Sequence, residues 1–226
     1  EGYELADYIA IASNHVKQSF INRGFPEQKL IQNPYGVDLS MFYPTELIKE
    51  NPYDIIMVGG WSLRKGCDLL VEVCRKYGYS LLHVGSIVDL EFPKDSNMTH
   101  VDSVDQSHLV NYYSQAKVFV LPSREEGLAM VQAQALVCGL PIVCSKDSGG
   151  EDLKELLIDK KWIIVASENN IEELNRCIQD ALLMCSSQLQ LRSYSTGVQK
   201  DLSWMKYGER YICNLKLALG GVFVNR

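Results

Sequence analysis

The sequence predicts an α/β protein built on a doubly wound parallel sheet, and three observations lead there. Strand-like and helix-like runs alternate along the chain. The strand candidates Ile55–Val58, Val118–Leu121, Ile142–Cys144 and Ile163–Val165 are continuous rather than alternating in hydrophobicity, as in strands covered by helices on both faces. Glycine and proline breaks stand at the strand ends: Gly59-Gly60, Pro122-Ser123 and Gly149-Gly150.

In chain order, Tyr8–Ala12 and Lys29–Gln32 read as two strands with a helix between them. Residues 44–52 begin and end on proline and read as a linker. The main body opens with a strand from Tyr53 to Val58. A helix from about Gly66 to Tyr77 sets Leu69, Leu70, Val73, Cys74 and Tyr77 on one face. Strand Ser80–Val84, a loop holding Pro93, a short strand at Met98–Val101 and a helix around Asp105–Ala116 lead to strand Val118–Leu121. The next helix is expected from about Glu126 to Val137, closed at Cys138-Gly139, where glycine can take the left-handed cap conformation. Strand Pro141–Cys144, a Gly-Gly turn, a short helix and strand Trp162–Val165 follow. Of the two or three closing helices, the clearest turns Ile171, Leu174, Ile178, Ala181, Leu182 and Cys185 to the core.

The chain has 226 residues, 46% of them hydrophobic, which is enough for one domain with a substantial core plus further elements. Its net charge is −6 with no basic tract, which argues against nucleic acid as a partner. Seven cysteines include no CxxC pair and no zinc-ligand spacing; most lie in apolar runs and read as core thiols of a reducing cytoplasm. No apolar run approaches the ~20 residues that span a bilayer. The expected location is cytoplasmic, with peripheral membrane contact left open. The start at Glu1, with neither initiator Met nor leader, reads as the interior of a longer chain.

Ligands of open α/β sheets bind beyond the carboxyl ends of the strands, and two such ends here carry unusual residues. In Gly59-Gly60-Trp61-Ser62-Leu63-Arg64-Lys65-Gly66 the glycines permit close backbone approach, and Arg64 and Lys65 offer charge to an anion. The same pair also reads as an ordinary solvated loop, and the glycine spacing matches neither the GxGxxG fingerprint nor a Walker A loop. In Leu121–Met130, Glu126 falls where a helix is expected to begin, a place whose free amides and dipole favour an anion such as a diphosphate. Glu126 serves there either as a cap or as an acceptor for sugar hydroxyls. Gln134 lies eight residues on, two helical turns along roughly the same face, and is either solvated or directed into a cleft.

The stretch Pro122-Ser123-Arg124-Glu125-Glu126-Gly127-Leu128-Ala129, with Gln134-Ala135 through Gly139-Leu140-Pro141-Ile142-Val143, resembles the signature of family 4 glycosyltransferases. Asn33-Pro34-Tyr35-Gly36-Val37-Asp38 with Phe42 and Pro44, Val58-Gly59-Gly60 with Lys65-Gly66, His83-Val84-Gly85, and Gly149-Gly150 with Glu155-Leu156 are similar to other family segments, in the same order.

The resemblance implies a GT-B architecture of two Rossmann-like domains. Residues 1–44 would end the N-terminal domain and cross over, 45–200 would form the nucleotide-sugar-binding domain, and 201–226 a C-terminal helix. About half of a complete enzyme, including most of the acceptor site, would lie upstream. The implied activity is transfer of a hexose, with retention, from a nucleotide diphosphate sugar to a glycan or lipid-linked acceptor, without a metal cofactor. Gly59, Gly60, Arg64 and Lys65 would face the diphosphate together with the amides of Gly127, Leu128, Ala129 and Met130. Glu126 would meet the donor sugar as the catalytic carboxylate, Gln134 the ribose, and Val101 and Ser103 the base. Two departures stand out: Gln134 replaces the family's second Glu, and Ala129 replaces a glycine. A non-catalytic nucleotide-binding or scaffolding homologue is the alternative, and a sugar-nucleotide epimerase or phosphorylase a third.

Overall fold

A computed structural model describes residues 2–44, 53–186 and 200–220. The expected linker falls almost entirely outside them.

An N-terminal unit comprises helix α1 (Gly2–Leu5), strand β1 (Ile9–Ile11), helix α2 (Asn14–Ile21) and strand β2 (Leu30–Gln32). Its two strands pair in parallel, Ile9 opposite Leu30. Ile9, Ile11 and Leu30 form a small separate core with Val16, Phe20 and Phe25. Ser13 starts α2 by accepting a hydrogen bond from the Val16 amide.

The main body has β3 (Tyr53–Val58), α3 (Cys67–Tyr77), β4 (Leu81–Val84), β5 (Met98–Val101), α4 (Leu109–Tyr113), β6 (Ala116–Leu121), α5 (Met130–Val137), β7 (Ile142–Ser145), α6 (Gly150–Glu155), β8 (Ile163–Ala166) and α7 (Ile171–Ser186). Every pairing in its six-stranded sheet is parallel, in the order β5-β4-β3-β6-β7-β8. This is the doubly wound, Rossmann-like order, with the direction of winding reversing between β3 and β6. Ile55, Ile56, Met57, Val118, Phe119 and Val120 are fully buried, because helices cover both faces of these central strands. Helices α3 and α7 pack together, with Leu70, Val73, Cys177, Ile178 and Ala181 buried beneath them. Tyr113 of α4, also buried, meets Phe119 and Phe42 and donates to the Val131 carbonyl of α5.

Helix α5 ends as expected. Gly139 has φ +90°, its amide bonds to the Leu136 carbonyl, and the Leu140 amide bonds to Ala135. Its start differs: α5 begins at Met130, four residues after Glu126. The Glu126 amide is instead bonded to the Asp147 carbonyl at 2.9 Å, which holds this stretch as a loop. The expected helix at Asp105–Ala116 is likewise shorter, with a 3-10 turn at Gln106–His108 ahead of α4.

The last helix, α8 (Trp204–Ala218), lies against the N-terminal unit. Arg210 donates to Asn33 Oδ1 and to the Pro34 carbonyl, Asn214 to the Gln32 carbonyl, and Tyr8 to the Ala218 carbonyl. Among the described residues no helix is long and apolar enough to cross a membrane. Five of the cysteines are buried, as expected; Cys185 is half-buried, and Cys213 on α8 is exposed.

Candidate functional site at the strand-order reversal

Because β3 and β6 are neighbours, the loops leaving their carboxyl ends lie side by side, and these loops carry both motifs. Their contact is close. Gly66 has φ +70°, and a Cβ there would fall 2.1 Å from the Pro122 carbonyl oxygen, so only glycine fits. Hydrogen bonds join the loops in both directions. The Arg124 amide donates to the Arg64 carbonyl at 2.8 Å, and Arg64 Nη1 donates to the Glu125 carbonyl at 2.8 Å. On its other side the second loop is tied to β7, whose Ser145 hydroxyl donates to the Ser123 carbonyl.

The charged groups gather on Glu126. Its Oε2 accepts from Lys65 Nζ, and from Arg64 Nη1 at 3.2 Å. The Lys65 side chain is 11% exposed and that of Glu126 18%, against 51% for Arg64. Lys65 is therefore a seated cation and not part of a solvated loop, whereas Arg64 reaches solvent. Two cations share one carboxylate, which leaves the cluster with excess positive charge for an anion. Arg124, the third cation nearby, is already engaged in a fork onto Asp68, at 2.7 and 2.6 Å. That guanidinium holds the Asp68 carboxyl below its usual range. Burial pushes the nearby Cys67 thiol up to about 12, so it is no thiolate nucleophile at neutral pH.

The other residues singled out from sequence are placed as follows. Gly59 and Gly60 open the first loop, half-buried. Leu128 and Ala129 are buried, Ala129 being the residue before α5, while Met130 is 37% exposed at its first position. Of the four predicted amide donors only Met130 belongs to the helix, so the expected row of helix-start amides is a loop followed by a helix start. Gly127 faces the N-terminal unit: an added Cβ would lie 3.2 Å from Val16 Cγ2 of α2.

Gln134 is 3% exposed, and its Oε1 accepts from the Tyr113 hydroxyl at 3.4 Å. It is not solvated, and the shared helical face with Glu126 does not exist because Glu126 precedes the helix. Gln132 is buried too and donates to the Ser148 carbonyl at 2.7 Å. Val101 and Ser103 lie at the end of β5 and just beyond it, at the sheet's outer edge. Among the described residues, no group of three His, Cys, Asp or Glu is placed to hold a metal ion.

Sequence reasoning assigned no role to the histidines behind the first loop. His83 on β4 is fully buried, with Nε2 2.8 Å from the Gly59 carbonyl and Nδ1 2.9 Å from Nδ1 of His100. Burial lowers His83 from 6.5 to about 4, outweighing its bond to Gly59. The available signal was a lone polar residue inside the apolar run Leu81-Leu82-His83-Val84. A separate cavity of about 390 Å³, lined by Gln32, Asp152 and Arg210 among others, contains none of the switch-point residues.

The family model for glycosyl transferases group 1 matches residues 43–198. An uncharacterized glycosyltransferase of Haemophilus influenzae is 30% identical over 191 residues, covering 74% of this chain and 54% of the relative. One of Methanocaldococcus jannaschii is 22% identical over 209 residues, covering 89% and 57%. Among solved structures, Anabaena HepE in complex with UDP and glucose superposes with a TM-score of 0.73 at 14% identity, covering 95% of this chain and 64% of that one. The chain thus spans a little over half the length of these curated relatives.

The buried His83 makes stability depend on pH. With a folded-state value of about 4 against 6.5, the native state binds fewer protons than the unfolded chain between those limits. Its stabilisation is complete above about pH 6.5 and is lost as pH falls towards 4, by up to about 3 kcal/mol. Asp152, raised by burial, acts in the opposite sense. Urea unfolding at several pH values should show this decline, and His83→Gln should remove most of it; an unchanged slope in the variant would assign the decline to other groups.

Proposed function

The chain belongs to the group 1 glycosyl transferases, and on that premise we propose that it is the donor-binding half of a retaining GT-B glycosyltransferase of the family 4 kind. In this reading residues 45–200 bind a nucleotide diphosphate sugar, whose hexose passes to a glycan or lipid-linked acceptor. Residues 1–44 close the partner domain, and 201–226 return to it; the bonds from α8 to residues 8–34 support that return. The observation that carries the reading is the seated Lys65, with Arg64 and Glu126, at the point where the sheet reverses its winding. The UDP and glucose bound by the structurally similar HepE fit the same donor class.

Mechanistically, the bond from the anomeric carbon to the diphosphate oxygen breaks while the acceptor hydroxyl oxygen bonds that carbon and gives its proton to the leaving diphosphate, which gains negative charge as its bond breaks. Lys65 and Arg64 stabilise that charge more in the transition state than in the ground state. The phosphates take over the cations from Glu126, whose freed carboxylate accepts hydrogen bonds from donor-sugar hydroxyls. Gly59 and Gly60 allow the backbone near the phosphates, and Gly127 to Met130 close the other side. Val101 and Ser103 are assigned to the base. The cation pair does the work a divalent metal does elsewhere, so sugar transfer by the full-length protein should persist in EDTA; loss on chelation with recovery on Mn²⁺ or Mg²⁺ would contradict this.

Gln134 is assigned to the ribose, where an amide oxygen still accepts a hydroxyl. Its burial makes an apo carboxylate costly. Gln134→Glu should therefore lower the melting temperature of the free protein yet tighten nucleoside diphosphate binding by about fivefold, a gain of roughly 1 kcal/mol. Unchanged or weaker binding in calorimetry would remove Gln134 from the ribose. This same residue favours the alternative of a non-catalytic homologue, and turnover by the full-length protein decides between the two.

The central test is Arg64→Ala with Lys65→Ala. Charge-assisted hydrogen bonds contribute about 1.5–3 kcal/mol each, so nucleoside diphosphate affinity should fall on the order of 100-fold, while a bare nucleoside binds as before. Equal binding of both ligands by variant and parent would refute the phosphate site. A melting temperature that falls in step with affinity would show that the loop is structural.

A further inference from the structure

Behind the first loop, hydrogen bonds run from the Gly59 carbonyl through His83 to His100. Parallel pairing of β4 with β5 puts His83 directly opposite His100, and their rings lie nearly parallel, at 14°, with centroids 5.0 Å apart. Trp61, 1% exposed, and Phe92 pack on the His83 ring with centroids at 4.8 and 5.8 Å. His100 Nε2 lies 3.3 Å from Asp102 Oδ1.

The donor and acceptor roles follow from chemistry. A carbonyl oxygen only accepts, so His83 carries its proton on Nε2. Its Nδ1 is then a lone pair, and the 2.9 Å contact requires that His100 donate from its own Nδ1. His83 is thus fixed in one neutral tautomer by its neighbour. A second proton on His83 would set two N–H groups against each other.

The held carbonyl belongs to the loop that seats the buried cation. The Gly59 amide donates to the Val84 carbonyl at 2.9 Å, so β4 grips both ends of this residue. Gly85 makes room, since a Cβ there would fall 2.1 Å from the Gly59 oxygen. On the other side of Gly59, an added Cβ would stand 3.8 Å from Lys65 Cε and 3.9 Å from Nζ. The end of the Lys65 side chain therefore lies in the space a Gly59 side chain would face, where Nζ donates to Glu126.

We propose that His83 is a positioning residue for anion binding: its Nε2–H, held in that tautomer by His100, fixes the Gly59 peptide, which faces the end of the Lys65 side chain. The proposal rests on the anion-binding reading of the loop but not on any donor sugar or base.

Glutamine reproduces a donor at the Nε2 position of histidine, and asparagine one at the Nδ1 position. The test uses the full-length protein and inorganic pyrophosphate, a probe without base or sugar. His83→Asn should weaken pyrophosphate binding about tenfold in calorimetry, while His83→Gln stays within about twofold of the parent. His100→Asn, which keeps a donor towards His83, should also bind nearly as the parent does. Nitrogen-15 histidine spectra of the parent near neutral pH should show His83 as the Nε2–H tautomer and His100 with a proton on Nδ1. Parent-like binding by His83→Asn would overturn the proposal, as would an Nδ1–H tautomer at His83. Equal losses in the Asn and Gln variants, in step with melting temperature, would also overturn it by making His83 merely structural. A parent that binds no pyrophosphate would overturn the anion-binding reading itself, an outcome distinct from these.

Discussion

The pairing of β3 with β6 is the constraint on which the site depends. These strands are separated in sequence by two other strands and become neighbours only because the sheet reverses its winding between them. The reversal sends connecting helices to opposite faces and leaves a crevice at the carboxyl ends. It also brings Gly66 against the Pro122 carbonyl, at a distance that excludes any side chain. Both loops then hold each other, through the Arg124 amide on the Arg64 carbonyl and the Arg64 side chain on the Glu125 carbonyl, so the two motifs support each other's shape.

The electrostatics follow from that contact. Three cations and two carboxylates converge where the loops meet, yet they sort into different environments. Arg124 and Asp68 satisfy each other as a fork and serve to clamp the second loop to α3. Lys65, Arg64 and Glu126 do not balance, and the more buried of the two cations is the one beside the glycine backbone. An anion entering here replaces one carboxylate contact instead of binding an unpartnered, desolvated ammonium. The free protein thereby avoids the cost of an uncompensated buried charge.

The fold was legible because its signals are local and redundant. Doubly buried strands must be continuously apolar, and Ile55–Val58 and Val118–Leu121 met that requirement within a residue or two of their observed bounds. Helix α3 and the glycine end of α5 were legible for the same reason: periodicity and a left-handed cap are written in a few adjacent residues. The start of α5 was not, because the Glu126 amide is bonded to Asp147, in a 3-10 turn twenty-one residues away in sequence, which takes a donor that a helix start would otherwise present. The same displacement removed the helical-face argument that tied Gln134 to Glu126.

The sequence by itself determined the doubly wound class, the order of its strands and helices, and which two loops carry the charge, since hydrophobic pattern and turn residues encode these over short range. Only the tertiary structure decided how exposed each charge is and what it touches. Arg64 and Lys65 are adjacent in the chain, yet one reaches solvent while the other is seated on Glu126. His83 shows the same division. Its place in an apolar run marks it as buried, but its partners come from the register of β4 with β5 and from the loop after β3. Desolvation and hydrogen-bond geometry are properties of neighbours brought together by the sheet, and no local stretch of sequence contains them.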